Sequence, residues 1–141
     1  MAQVGLLEDN ARIAKLCVTM LHYAGHQVTV YQHPDECLCA LLAQPVIPDG
    51  RTSLPKASIL LPIDVLVLDL HLPGMNGIEV IRILQSYSHT RLLPVIFCSA
   101  ASPHEISRAL RIAPSATFVE KPFTFQDLTF AIDQALTPQT K

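Results

Sequence analysis

The chain has 141 residues, half of them apolar and 16% charged, which suits one globular domain with a real core. A formal charge of −2 supplies no basic footprint for nucleic acid or for an anionic membrane surface. No run approaches the roughly 18 apolar residues of a membrane span, and Glu8 and Asp9 arrive too early for a signal-peptide layout.

Val4 to Leu7 is a short buried-strand pattern that ends on Glu8 and Asp9. Asn10 can cap a helix carrying Ile13, Leu16, Cys17, Met20, Leu21 and Ala24 on one stripe, stopped by Gly25. Gln27 to Tyr31 alternates and is rich in β-branched residues, so it reads as a second strand. Pro34 fits the first turn of a second helix, with Asp35 to Ala43 as its body.

The stretch Gln44 to Ile63 breaks the rhythm. It holds four prolines and no clean period, and connections at such a place are usually a few residues long. It reads as an insertion forming a surface loop, with Ser58 to Leu61 apolar enough to lie on the domain.

Asp64 to Leu70 then forms an apolar run that reads as a strand buried on both faces. Pro73 and Gly74 turn the chain, and Asn76 or Gly77 opens a helix with Ile78, Val80, Ile81 and Leu84. Pro94 to Cys98 is a fourth strand running into Ser99. Pro103 starts a helix whose inner stripe is Ile106, Ala109, Leu110 and Ala113. Thr117 to Glu120 is a fifth strand, and Phe125 to Leu136 is the last helix, with Leu128, Ala131, Ile132 and Ala135 facing inward. Strand and helix alternate five times, which argues a doubly wound α/β domain: a parallel sheet with helices on both faces.

In such a sheet the strand ends gather at one edge, where ligand chemistry is found. Strand one offers Glu8 and Asp9, strand three Asp69, strand four Ser99 and strand five Lys121. Three carboxylates together repel unless a cation sits among them. Oxygen ligands without patterned His or Cys point to Mg²⁺, which accepts one or two carboxylates plus phosphate oxygens. A lysine and a hydroxyl in the same cup add donors for a phosphoryl group, so the chemistry suited is phosphoryl transfer to Asp69.

These residues resemble the receiver domain of bacterial two-component response regulators over nearly the whole chain. Leu7-Glu8-Asp9 is similar to the family's acidic pair, and Asp69, in Leu-Asp-Leu-His-Leu-Pro-Gly-Met-Asn-Gly, to its phosphoacceptor. Ser99, thirty residues on, falls on the hydroxyl position, and Lys121-Pro122, twenty-two further, on the lysine–proline pair. The resemblance implies a flavodoxin-like strand order 2-1-3-4-5 and catalytic roles for Asp69, Ser99 and Lys121. It implies a metal set of Glu8, Asp9, Asp69 and the His71 main-chain carbonyl, and a cis peptide at Lys121-Pro122. It implies a switch in which the Phe118 ring moves inward as Ser99 turns to the phosphoryl group. His71 and Ala101 would flank the route of attacking water. The long insertion and a Phe at 118, where Tyr is commoner, depart from the family pattern.

Four cysteines (Cys17, Cys37, Cys39 and Cys98) in apolar stretches suit buried, reduced thiols, hence a cytoplasmic protein. Cys37 and Cys39 face apart on a helix, against a metal pair, and the six histidines show no metal spacing. Phe130 lies on the polar face of the last helix among Gln126, Asp133 and Gln134, which suits a partner contact.

The expectation is a single receiver domain over 1–141 that takes phosphoryl from a histidine kinase or phosphotransfer protein. The chain stops five residues after its last helix, so the reading is a stand-alone receiver that catalyses its own phosphotransfer and is not an enzyme with a separate substrate. Output would pass through a downstream protein target, with a homodimer also allowed, and with neither nucleic acid nor membrane as partner. The rivals are a phosphorylation-independent interaction module and an aspartyl-phosphate phosphohydrolase. Against the second, position 71 carries no acid to protonate a leaving group.

Overall fold

The computed structural model describes residues 2–42, 61–72, 74–100 and 102–137. Five strands and five helices alternate: β1 Gln3–Leu7, α1 Ala11–Tyr23, β2 Gln27–Tyr31, α2 Pro34–Leu42, β3 Val65–Leu68, α3 Gly77–Gln85, β4 Val95–Ser99, α4 Pro103–Ile112, β5 Thr117–Glu120 and α5 Phe125–Leu136. All strand pairs are parallel and the order is β2-β1-β3-β4-β5, as the resemblance implied.

Strand residues alternate between two cores. Leu66, Leu68 and Phe97 pack with Cys37 and Leu41 of α2, Ile81 and Leu84 of α3 and Ala109 of α4. Val65, Val67, Ile96 and Cys98 pack on the other face with Ala14, Cys17 and Leu21 of α1 and Leu128, Ala131 and Ile132 of α5. A sheet covered on both faces explains why β3 reads as an unbroken apolar run.

Side chains stop and start the helices as their types demand. Asn10 accepts from the N–H groups of Arg12 and Ile13 to begin α1, and Gly25 at φ 93° lets the chain turn into β2. Asn76 with Glu79, Ser102 with Glu105, and Thr124 with Asp127 each form a reciprocal cap, opening α3, α4 and α5. Each reciprocal cap pairs two backbone amides, those of the N-cap residue and of the third helical residue, where the helix meets its strand-end loop.

Several expectations need correction. Leu16 is 49% exposed and Ala24 is also exposed, because α1 buries only the narrower stripe of Ala14, Cys17 and Leu21. Cys39 is exposed, on the opposite side of α2 from buried Cys37. β3 is shorter than expected. Its flanking Asp64 instead holds β1 from outside the strand: Asp64 N–H donates to the Gln3 carbonyl at 2.6 Å, and Gln3 N–H to Asp64 Oδ2 at 2.8 Å.

Most of the inserted segment, including Ser58 to Leu60, lies outside the described residues, as do Pro73 and Ala101. The residues on each side of the stretch 43–60 are described. Leu41 is buried and its carbonyl meets His89 Nε2 at 3.2 Å, while Ile63 is buried beside β1. Gly5 makes room there: a Cβ at that position would come within 2.5 Å of Ile63 Cδ1. His26 accepts from the Ala2 N–H through Nδ1 at 3.1 Å.

Candidate functional site

The register sets the site. Leu7 pairs with Leu68, so Glu8 and Asp69 leave neighbouring strands side by side. Ser99 pairs with Glu120, so Lys121 emerges next to the hydroxyl, and its N–H donates to the Ser99 carbonyl at 3.0 Å. The Lys121-Pro122 peptide is cis.

Asp69 is held by three donors. Ser99 Oγ donates to Oδ1 at 2.8 Å, the His71 N–H to Oδ1 at 3.0 Å, and Lys121 Nζ to Oδ2 at 2.8 Å. Burial pushes the Asp69 carboxyl up, but the hydrogen bonds from Lys121, His71 and Ser99 outweigh it and hold it below its ordinary range. The Lys121 ammonium is likewise held above its ordinary value: burial pulls it down, and its bonds to Asp69 and Glu8 more than reverse that. A carboxylate fixed in its ionised, acceptor-only form has the electronic state of a nucleophile.

Glu8 joins the same lysine. Its Oε1 accepts from Lys121 Nζ at 2.9 Å and its Oε2 from the Asn10 N–H at 3.2 Å, and the residue is only 4% exposed. Asp9, next in the chain, is exposed and does not enter this group. Glu8 and Asp69 thus converge on Lys121, and Asp9 is exposed next to Glu8 in the chain. Among the described residues no three Asp, Glu, His or Cys side chains gather as a metal cluster. Lys121 supplies the positive charge between Glu8 and Asp69.

Phe118 is partly buried against the core of β3, β4, α3 and α4. It also lines a groove between β5 and α5 with Glu120, Gln126 and Phe130, and Phe130 is 65% exposed there. A second, apolar groove adjoins Lys121 and is lined by Ile13, Leu16, Ala100, Pro122 and Phe123. Burial pushes the Cys17 thiol up to about 11 and the Cys98 thiol to about 12, so neither competes as a nucleophile at neutral pH.

Two features were missed in the sequence. The His71 side chain is not idle: Nε2 meets Glu105 Oε2 at 2.7 Å. The Ser102-Pro-His-Glu105 spacing signals a helix cap, but nothing local says that Glu105 also reaches His71. The other feature is Gly77, where a Cβ would lie 2.5 Å from the Asp69 carbonyl oxygen and 3.0 Å from Leu70 Cα. Glycine at the start of α3 lets that helix close on the backbone of Asp69 and Leu70, with the Gly77 N–H donating to the Leu70 carbonyl at 2.9 Å. Gly77→Ala should destabilise the fold by about 2 kcal/mol, as overpacking does. Urea unfolding checks this, and a loss under about 0.5 kcal/mol, the range of an ordinary surface change, would show that α3 slides freely.

The model of the response regulator receiver domain matches residues 4–133, nearly the whole chain. The chain belongs to that family. Among curated proteins it is 33% identical over 122 residues to the transcriptional regulatory protein CreB of Escherichia coli, covering 86% of this chain and 44% of CreB. The chain spans about half or less of the length of the curated relatives it matches. Among solved structures, the chemotaxis protein CheY4 of Vibrio cholerae superposes with a TM-score of 0.75 at 19% identity, covering 96% of this receiver and 99% of CheY4. The receiver domain of the sensor histidine kinase PA1611 of Pseudomonas aeruginosa gives 0.72 at 17% identity, covering 96% and 97%. At those identities the two structures speak for the fold. Receivers are signalling domains of two-component systems rather than classical enzymes, and no helix among the described residues of this one is long and apolar enough to cross a membrane.

Proposed function

We propose that this receiver accepts a phosphoryl group on Asp69 from a phosphohistidine of a kinase or phosphotransfer protein in the cytoplasm, and signals by protein contact. The observation that carries the reading is the Asp69 carboxylate, ionised and aimed by Ser99, Lys121 and the His71 N–H. One Asp69 oxygen attacks phosphorus, the phosphorus–nitrogen bond breaks, and its electron pair returns to the donor imidazole. Lys121 stays protonated through this and neutralises charge on the transferred group.

The donor set suits a divalent cation. Glu8 and Asp69 meet at Lys121, Asp9 follows Glu8 in the chain, and all three are hard oxygen donors. Asp9, Asp69 and the His71 main-chain carbonyl would hold Mg²⁺, with Glu8 acting through water, and the crystallised PA1611 receiver has magnesium coordinated in its active-site cleft. When bound, Mg²⁺ supplies charge stabilisation to the transferring phosphoryl oxygens. Ser99 then turns from Asp69 to the phosphoryl group and Phe118 follows it. The groove with exposed Phe130 would pass this change to a target or to a second copy.

Incubation with acetyl phosphate and Mg²⁺, read by intact mass, tests the reading: the receiver should gain one phosphoryl group, and an unlabelled wild type would sink it. The groove at Leu16 supports docking of a protein donor, because it is apolar and adjoins Lys121. Leu16→Asp should slow transfer from a phosphohistidine protein by at least about tenfold, a loss of 1.4 kcal/mol. Labelling by acetyl phosphate, which needs no docking, should hold. Equal loss with both donors would place Leu16 in the chemistry rather than in docking.

A further inference from the structure

Beyond the phosphoacceptor cluster, the pair His71 and Glu105 joins two elements distant in sequence: the loop after β3 and the first turn of α4. Glu105 has two duties. Its Oε1 accepts from the Ser102 N–H at 3.0 Å and its own N–H donates to Ser102 Oγ at 3.3 Å, which caps α4, while Oε2 meets His71. The Ser102 N–H and then His71 hold the Glu105 carboxyl down at about 2, so it is an acceptor only. Nε2 of His71 is therefore the protonated nitrogen facing it.

At its other end His71 donates its N–H to Asp69 Oδ1. A continuous run of contacts thus leads from Asp69 through His71 and Glu105 to the N-cap of α4. That helix is lightly held, with Ala109 its one fully buried residue. Two polar ties fasten it: His71 at the amino end, and Gln85 Nε2 donating to the Ile112 carbonyl at 3.1 Å at the other.

We propose that His71 and Glu105 form a latch on α4 that phosphorylation of Asp69 opens, a route separate from Ser99 and Phe118 and resting on the phosphoacceptor reading above. A phosphoryl group brings a charge of about −1.5 to −2 and three strong acceptor oxygens onto the carboxylate that the His71 main chain touches. It competes with Glu105 for the Nε2 proton and repels the Glu105 carboxylate. Both effects part the pair. The side chains of His71 and Glu105 are 56% and 42% exposed, so water screens the contact and leaves it weak enough to open. Glu105 keeps its bonds to Ser102 on release, so α4 stays helical and pivots about its tie at Ile112.

Hydrogen exchange of the first-turn amides of α4, with and without acetyl phosphate and Mg²⁺, tests the latch while intact mass follows labelling. In the wild type, labelling should raise exchange there by at least about threefold, as expected for loss of a local restraint. Glu105→Gln, which can still cap, should label normally, start from faster exchange and respond less than half as much. Glu105→Asp, too short to reach His71, should give the same pattern and serves if the first variant does not fold. A wild type that takes no phosphoryl group overturns both the latch and the phosphoacceptor reading. A labelled wild type with unchanged exchange in α4, or a folded Glu105 variant that responds as fully as wild type, overturns the latch alone.

Discussion

Asp69→Asn is expected to take up no phosphoryl group from acetyl phosphate and Mg²⁺ under conditions that fully label the wild type. The substitution is close to isosteric, and the amide oxygen can still accept from Ser99 and from the His71 N–H. What it removes is the anionic oxygen that the fold keeps ionised through Lys121, Ser99 and His71. An amide cannot form the acyl phosphate, so the effect is complete loss rather than a reduced rate. Glu8 is the other buried carboxylate at this edge, but both of its oxygens are engaged, by Lys121 and by the Asn10 N–H. Intact mass of the folded variant decides: labelling equal to wild type would move the acceptor to Glu8 or Asp9.

Lys121→Met is expected to cost about 3 kcal/mol of stability at pH 7, the low end for breaking a buried ion pair. Its ammonium neutralises two carboxylates, and Glu8 and Asp69 are almost fully buried. Methionine fills similar space and leaves both charges unpaired. In the wild type the Asp69 carboxyl lies below 3.8, its unfolded value. Its contribution is therefore full above that pH and is lost as pH falls through the lower, folded value. In the variant, burial without the lysine raises the folded value instead, so stability is lost as pH rises. The gap between the two proteins should be small below the folded value of Asp69 and widen toward neutrality. Lys121 itself, held above 10.5, stays charged across this window. Urea unfolding at both ends of the range checks the sign, and a gap that shrinks toward pH 7 would contradict it.

The fold was legible because both periodicities were strong. β3 reads as a strand buried on two faces, and α3 buries Ile78, Val80, Ile81 and Leu84 as its pattern demands. The site was legible because a parallel sheet sends every strand end to one edge, so Glu8, Asp69, Ser99 and Lys121 had to meet. Other features depend on distances that local pattern does not encode. Leu16 lies one residue from buried Cys17, at the border of the stripe, and only the spacing of α1 from its neighbours decides its exposure. The bond from His71 to Glu105 spans 34 residues and depends on the path of α4.

The fastening of the chain at Leu41 and again at Ile63 and Asp64 has a use in protein engineering. The sheet is already secured on each side of that connection, at the edge opposite Asp69. Sequence grafted between the anchors adds closure entropy of only about 0.6 kcal/mol per doubling of length. A peptide tag, a sensor loop or a fluorescent module spliced there would ride on the receiver as a passenger, leaving the edge that carries Asp69 free.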